Sequence, residues 1–205
     1  MIQIKTREQI ALMREAGLVV GRTLELLREA ARPGVTTREL DRIAEESIRR
    51  AGAVPSFQGY QPHPMIPPFP GTICASVNDE VVHGIPGDRV LRDGDVISID
   101  CGAILDGWHG DAAVTVAVGD VPDEVRELIR VTEEAMWRGF AAARPGGRVS
   151  DISHAVEAYV RSQGGYGIVE DYGGHGIGTE MHQDPHVLNY GRPGRGPKLV
   201  EGMAL

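Results

Sequence analysis

Between residues 95 and 118 the chain reads DVISIDCGAILDGWHGDAAVTVAV. The β-branched residues Val96, Ile97 and Ile99 lie on one side of Asp106-Gly107, and Val114, Val116 and Val118 on the other. Two such runs around an Asp-Gly pair predict a β-hairpin. Upstream, Ile10, Met13, Val19, Val20, Leu24 and Leu27 recur at near-helical spacing, which predicts a helix over 7–31. Thr6 and Gln9 have the spacing of a capping box at its start, and Pro33-Gly34 ends it. Leu40, Ile43, Ala44, Ser47 and Ile48 form the buried stripe of a second helix, capped by Thr36 or Thr37 and stopped at Gly52. A short strand follows over 72–77, then a turn at Asn78-Asp79, and a turn over 91–95 delivers the chain into the hairpin. Residues 59–70, GYQPHPMIPPFP, are too proline-rich for a helix or a central strand. They read as a rigid surface loop in which Tyr60, Met65, Ile66 and Phe69 could wall a pocket.

The helical pattern returns 112 residues later. Ala31-Arg32-Pro33-Gly34 matches Ala143-Arg144-Pro145-Gly146 without a gap. Leu40 then falls on Ile152, Glu45 on Glu157, Ile48 on Val160, Arg49 on Arg161 and Gly52 on Gly164. The reading is one catalytic domain, 1–205, made of two similar halves, roughly 1–118 and 119–205. Two copies of one unit usually pack about a pseudo-twofold axis and leave a cleft where polar groups converge.

Composition narrows the class. A chain of 205 residues with 41% hydrophobic content suits one globular domain. A net charge of −8 argues against a nucleic-acid surface. No apolar run approaches the roughly 18 residues of a membrane span, and the start MIQIKTREQ has no signal-peptide pattern. Cys74 and Cys101 form neither a disulfide framework nor a zinc-type pair, so a reducing cytoplasm is expected.

The candidate chemistry lies in three stretches. Asp100 and Asp111 occupy opposite arms of the hairpin. Any register centred between Leu105 and Gly107 that keeps the pleat makes them opposite or diagonal neighbours on one face. Two carboxylates so placed repel each other and are costly to desolvate, and a cation between them relieves both costs. The plainer reading is a pair of aspartates at hairpin ends. In the second half, Gly173-Gly174-His175-Gly176-Ile177-Gly178 surrounds an imidazole with glycines that allow close approach and positive φ, and His182 follows. His175 is a candidate third ligand, and an imidazole with two carboxylates suits Zn, Mn, Fe or Co better than calcium. The glycines could instead cradle phosphate, but no P-loop lysine accompanies them. His83, before Gly-Ile-Pro, sits where a strand must stop and could face a cavity. His63 and His186 read as surface residues.

SVNDEVVHGIP (76–86), IDCGAILDGWHGDAAVTV (99–116) and GGHGIGTEMHQDP (173–185), in that order, resemble the type I methionine aminopeptidases of peptidase family M24, in their bacterial short form. The likeness runs over essentially the whole chain. It implies an α+β pita-bread fold, with two αβ halves around a curved antiparallel sheet. It implies a cytoplasmic, metal-dependent enzyme that removes initiator methionine through a metal-bound hydroxide. Asp100, Asp111 and His175 match the family's first three metal ligands. His83 matches the histidine contacting substrate near the scissile nitrogen, and His182 the one bonding the substrate carbonyl. Tyr60, Phe69 and Cys74 align with the methionine pocket. Met181 stands where an aromatic is often seen, and a thioether suits that contact. Two divalent ions (Co, Mn, Fe or Zn) are expected in the intact family. The partners implied are the N-terminal methionine peptides of nascent proteins, with the ribosome to be weighed beside them; neither nucleic acid nor membrane is bound directly, and a monomer is expected.

Two departures qualify the likeness. The family's last two ligands are glutamates that would lie beyond Leu205, and Glu201 aligns with neither. The chain is therefore expected to be a fragment of a longer reading frame, with one metal or none, reduced stability and poor activity. The loop 61–68 is longer than usual and could reshape the pocket entrance. Other readings are an M24 aminopeptidase of different specificity and a catalytically impaired pita-bread protein that binds a peptide or partner. A creatinase-like hydrolase is disfavoured by the SVN…HGIP segment.

Overall fold

The computed structural model describes residues 2–205. The chain separates into two compact units, Ala11–Pro122 and Met1–Ile10 with Asp123–Leu205. The first ten residues go with the later part of the chain.

In the unit of residues 11–122, α1 (Arg7–Ala30, whose first residues belong to the other unit) and α2 (Thr37–Arg50) are joined through Pro33-Gly34, with Gly34 at φ +94°. Thr6 and Gln9 exchange the two bonds of a capping box, and Thr36 does the same with Glu39. The buried face of α1 begins at Ala16 and runs through Val19, Val20, Leu24 and Leu27. Ile10, expected in that stripe, is exposed. Close approach decides this: a Cβ on Gly110 would come within 2.8 Å of the α1 backbone at Ala16 and Gly17, so the sheet meets the helix there. On α2, Leu40, Ala44 and Ile48 are buried, whereas Ile43 and Ser47 lie at the margin.

The sheet contains β1 (Val54–Pro55), β2 (Ile73–Val77), β3 (Val96–Leu105) and β4 (Trp108–Ala117). The ten-residue β3 is its axis and pairs antiparallel with the other three. Leu105 opposes Trp108, so the turn is the two residues Asp106 (φ +51°) and Gly107 (φ +80°). Both take the left-handed conformation that a type I′ turn requires. That register divides the hairpin by period two. Ile97, Ile99, Cys101 and Ala103 face the helices and are fully buried with Leu27, Leu40, Ile48, Ile73 and Val77. Each of the larger aliphatics contributes about 1.5–3 kcal/mol by that burial. The opposite face carries Ser98, Asp100 and Gly102, with Thr115, Ala113 and Asp111 across from them.

In the other unit, α3 (Asp123–Ala142) and α4 (Val149–Gln163) repeat the helix–break–helix layout. The offset of 112 holds: α1 ends at Ala30 and α3 at Ala142, while α2 begins at Thr37 and α4 at Val149. The repeat extends to a strap that the helical pattern did not show. Gly34 N–H donates to Leu91 O and Leu91 N–H to Val35 O; Gly146 N–H donates to Leu199 O and Leu199 N–H to Gly147 O. Here the sheet is only β5 (Gly174–Gly176) with β6 (Gln183–Val187). Val149, Ile152, Val187 and Leu199 form a buried cluster, with Met203 against it, and Val131, Ala135 and Val160 of the helices are buried too.

Candidate active site

Asp100 sits opposite Ala113 and Asp111 opposite Gly102, so the two aspartates are diagonal neighbours on one face of the sheet. Both are half-buried. Cys74 is the β2 residue opposite Asp100 and shares that face. Its thiol is pushed up to about 12, first by burial and then by the Asp100 and Asp111 carboxylates. Cys74 therefore feels the negative field of both carboxylates. Cys101 faces the helices, and burial raises its thiol too.

His109 also belongs to this face, because Ile104↔His109 and Gly102↔Asp111 are successive same-side pairs. Its Nδ1 lies 3.1 Å from Ser56 Oγ. Sequence reasoning passed over His109, although its two-residue spacing from Asp111 was the signal. Gly102 is small for a reason: a Cβ there would meet Phe57 Cε1 at 2.8 Å and Ser56 Cβ at 2.9 Å.

Tyr60 and Phe69 form the neck of the proline-rich loop. Tyr60 N–H donates to Phe57 O, Phe69 N–H to Tyr60 O and Gly59 N–H to Phe69 O. Beyond the neck the loop closes on itself: Gln61 Nε2 donates to Ile66 O, and the Met65 amide donates to His63 Nδ1. Met65 and Ile66 are exposed. His83 is exposed and stands at φ +59°, a region that residues with a Cβ rarely occupy.

In the unit of residues 123–205 with the first ten, His175 lies on β5 opposite His186 of β6. Its Nδ1–H donates to Gly176 O at 2.9 Å, which leaves the lone pair on Nε2. The His182 ring is 4.5 Å from the His175 ring, centroid to centroid, at 60°. Met181 is buried beside the exposed His182. Close approach and positive φ were both expected of the glycines here, and of Gly173, Gly174, Gly176 and Gly178 none adopts positive φ. Close approach is their reason. A Cβ on Gly176 would strike Asp184 O, and one on Gly173 would strike Val187 O. His182 also lines a cavity of about 470 Å³ with Gln3, Thr179, Glu180, Gln183 and Asp184. His63 and His186 are exposed, as expected. Glu201 is on the surface and ion-paired with Arg7 at 3.1 Å.

Among the described residues, no three or more His, Cys, Asp or Glu side chains form a metal-holding group. The donors lie in two sets, one in each unit. Their chemistry fits a divalent transition ion. Two carboxylates share one sheet face, and an imidazole has its tautomer set by its own backbone, as metal-binding histidines require.

A family model described as metallopeptidase family M24 matches residues 11–205. A methionine aminopeptidase of Clostridium acetobutylicum is 56% identical over 206 residues, covering all of this chain and 80% of the relative. The crystal structure of a methionine aminopeptidase from Rickettsia prowazekii superposes with a TM-score of 0.93 at 41% identity, over 99% of this chain and 79% of that one. A prolidase from Pyrococcus furiosus gives a TM-score of 0.82 at 25% identity, over 98% of this chain and 55% of that one.

Proposed function

The chain belongs to metallopeptidase family M24, and on that premise we infer that it is a metallo-exopeptidase that removes N-terminal methionine from peptides. It is a hydrolase with the α+β pita-bread fold of that family, and it uses a divalent metal. The observation that carries the reading is the diagonal pair Asp100–Asp111 on one sheet face, in a chain matched to the family from residue 11 to 205.

Asp100, Asp111 and His175 are the residues we assign to the metal. When bound, such an ion acidifies a water and polarises the substrate carbonyl. The chain's own side chains orient the substrate. We assign His83 to the scissile nitrogen and His182 to the carbonyl oxygen, where a donor is worth most as negative charge develops. Tyr60, Phe69, Cys74 and Met181 are assigned to the methionine side chain. Cys74 suits that role because its thiol stays neutral and apolar beside two carboxylates.

The finer proposals are Co, Mn, Fe or Zn as the metal, with two ions in the intact family and one or none in this chain, and a single catalytic domain. To these we add nascent-chain substrates, with the ribosome as a docking partner, and a monomer in the cytoplasm. Among the described residues no helix is long and apolar enough to cross a membrane.

Methionine release from a Met-Gly-Met peptide, with added Co(II) or Mn(II) and with EDTA, tests the reading. Metal-dependent release that falls more than about a hundredfold in Asp111→Ala is expected. Metal-independent release, or full activity of that variant, would remove the assignment of Asp111. Peptide binding without release under any metal would favour the binding-protein reading.

A further inference from the structure

His83 adopts φ +59°, and Gly84 follows it directly. The structure shows what holds the segment there. Gly84 N–H donates to Ser76 Oγ at 3.1 Å, and Gly84 O accepts from Ala75 N–H at 2.8 Å. A Cβ on Gly84 would strike Ala75 O, so only glycine can lie this close to β2. At the other end of the loop, Glu80 Oε2 accepts from Val77 N–H at 2.8 Å while its Oε1 accepts from Arg89 at 2.9 Å. Both ends of the 78–84 loop are therefore tied to β2, the strand that places Cys74 opposite Asp100. Ser76 is itself buried on that face, yet its hydroxyl is turned to the backbone of the loop.

We propose that Ser76 and Glu80 are positioning residues for the aminopeptidase reaction, pinning the 78–84 loop so that His83 is held at a fixed place beside the Asp100 face. The proposal rests on the assignment of His83 to the substrate. Neither residue needs to touch substrate. Ser76 fixes the peptide unit that follows His83, and Glu80 fixes the turn that precedes it. A side chain displaced by about 1 Å from its reacting position can cost up to about a hundredfold in rate, so a hydroxyl spent on backbone has a kinetic consequence.

The test uses the whole chain with saturating Mn(II) and compares Ser76→Ala, Ser76→Thr, Glu80→Ala, His83→Ala and the double variant Ser76→Ala/His83→Ala. Two readouts are taken. The first is kcat and KM for Met-Gly-Met. The second, recorded with diamagnetic Zn(II) in place of Mn(II), is the NMR signal of the His83 ring, assigned by its loss in His83→Ala, with the exchange rate of the Gly84 amide. Ser76→Ala is expected to shift the ring signal and to speed Gly84 exchange at least about tenfold. It should lower kcat about ten- to hundredfold with KM changed less than about twofold. Ser76→Thr, which keeps the hydroxyl, should restore both, and Glu80→Ala should shift the same ring signal. In the His83→Ala background Ser76→Ala should cost nothing further, because its effect passes through His83. An unchanged ring signal, or an equal loss of kcat in both backgrounds, overturns the proposal. Full turnover by His83→Ala would instead remove His83 from the substrate contacts, and the ring signal would still decide whether Ser76 positions it.

Discussion

Around α1 and α2 the helix stripes rest on a four-stranded sheet, and Leu27, Leu40, Ile48, Ile97 and Ile99 are wholly inaccessible. Around α3 and α4 the same helix–break–helix layout has a two-stranded sheet, and its buried cluster of Val149, Ile152, Val187 and Leu199 is smaller than the one around α1 and α2. Trp137 and Phe140 on α3 are 55% and 59% exposed and pack edge to face on each other, 5.4 Å apart. The difference teaches that the repeat specifies local geometry, not burial. Pro-Gly breaks, caps and backbone straps recur because they depend on a few residues at fixed spacing. The apolar area removed from water depends on how much sheet each helix pair covers, and stability follows that area. The unit of residues 11–122 is thus the more robust one.

The first way to break this comparison is to cut equal side chains from the two cores. Ile99→Ala is expected to cost about 3–5 kcal/mol, and Ile152→Ala about 1–2 kcal/mol, because the smaller core relaxes around the loss. Denaturant unfolding measures both. Equal costs would mean that the two units fold as one equally packed body. Next in size is Gly176→Ala, expected to cost about 1–3 kcal/mol, since the added Cβ meets Asp184 O in β6. It should also lower methionine release by more than its loss of folded protein explains, because His175 Nδ1 is bonded to Gly176 O.

Asp41 sharpens the comparison within the stronger unit. Its Oδ1 accepts from Thr72 N–H at 2.7 Å and Ile73 N–H at 3.0 Å, which anchors the start of β2. Asp41→Ala leaves those amides unpaired and should cost about 1–3 kcal/mol. Asp41→Asn keeps an acceptor and should be near neutral at pH 7. Burial, the largest influence, raises the Asp41 carboxyl above its usual range. A carboxyl raised in the folded state favours the fold at low pH and loses that advantage as pH rises through its folded value. The wild type should therefore gain on Asp41→Asn as pH falls from 7 towards 4. Melting temperatures across that range check the sign. Smallest of all, Arg7→Ala should change stability by less than about 1 kcal/mol, since its partner Glu201 is a solvent-exposed carboxylate.

Much of this was legible beforehand, and the reasons differ by region. The hairpin was readable because Asp106-Gly107 permits few turns, and a two-residue turn sets every pair along the arms. That register alone put Asp100 and Asp111 on one face. The internal repeat was readable because Ala-Arg-Pro-Gly recurs without a gap. Ile10 misled because helical spacing identifies a stripe and not which of its turns meets a partner; Gly110 chose Ala16 instead. For the glycines around His175 close approach held and positive φ did not. Sequence shows that a side chain is absent, and either positive φ or close approach accounts for that. Ser76 and Glu80 were passed over because their oxygens bond backbone amides of the loop and strand, and a linear pattern carries no sign of that.

By itself the sequence determined what depends on spacing along one chain. That comprises the helices and their caps, the type I′ hairpin with its two carboxylates on one face, the doubled layout, and the motifs that place the chain in its family. Tertiary structure alone decided which stripes were buried and why each glycine was needed. It also decided which hydroxyl and carboxylate were spent on tying the loop of His83 to β2. The physical reason is range. Periodicity and turn chemistry act over a few residues and survive in the unfolded chain. Burial, desolvation of Cys74 and the closure of a strand edge exist only once segments distant in sequence are brought into contact.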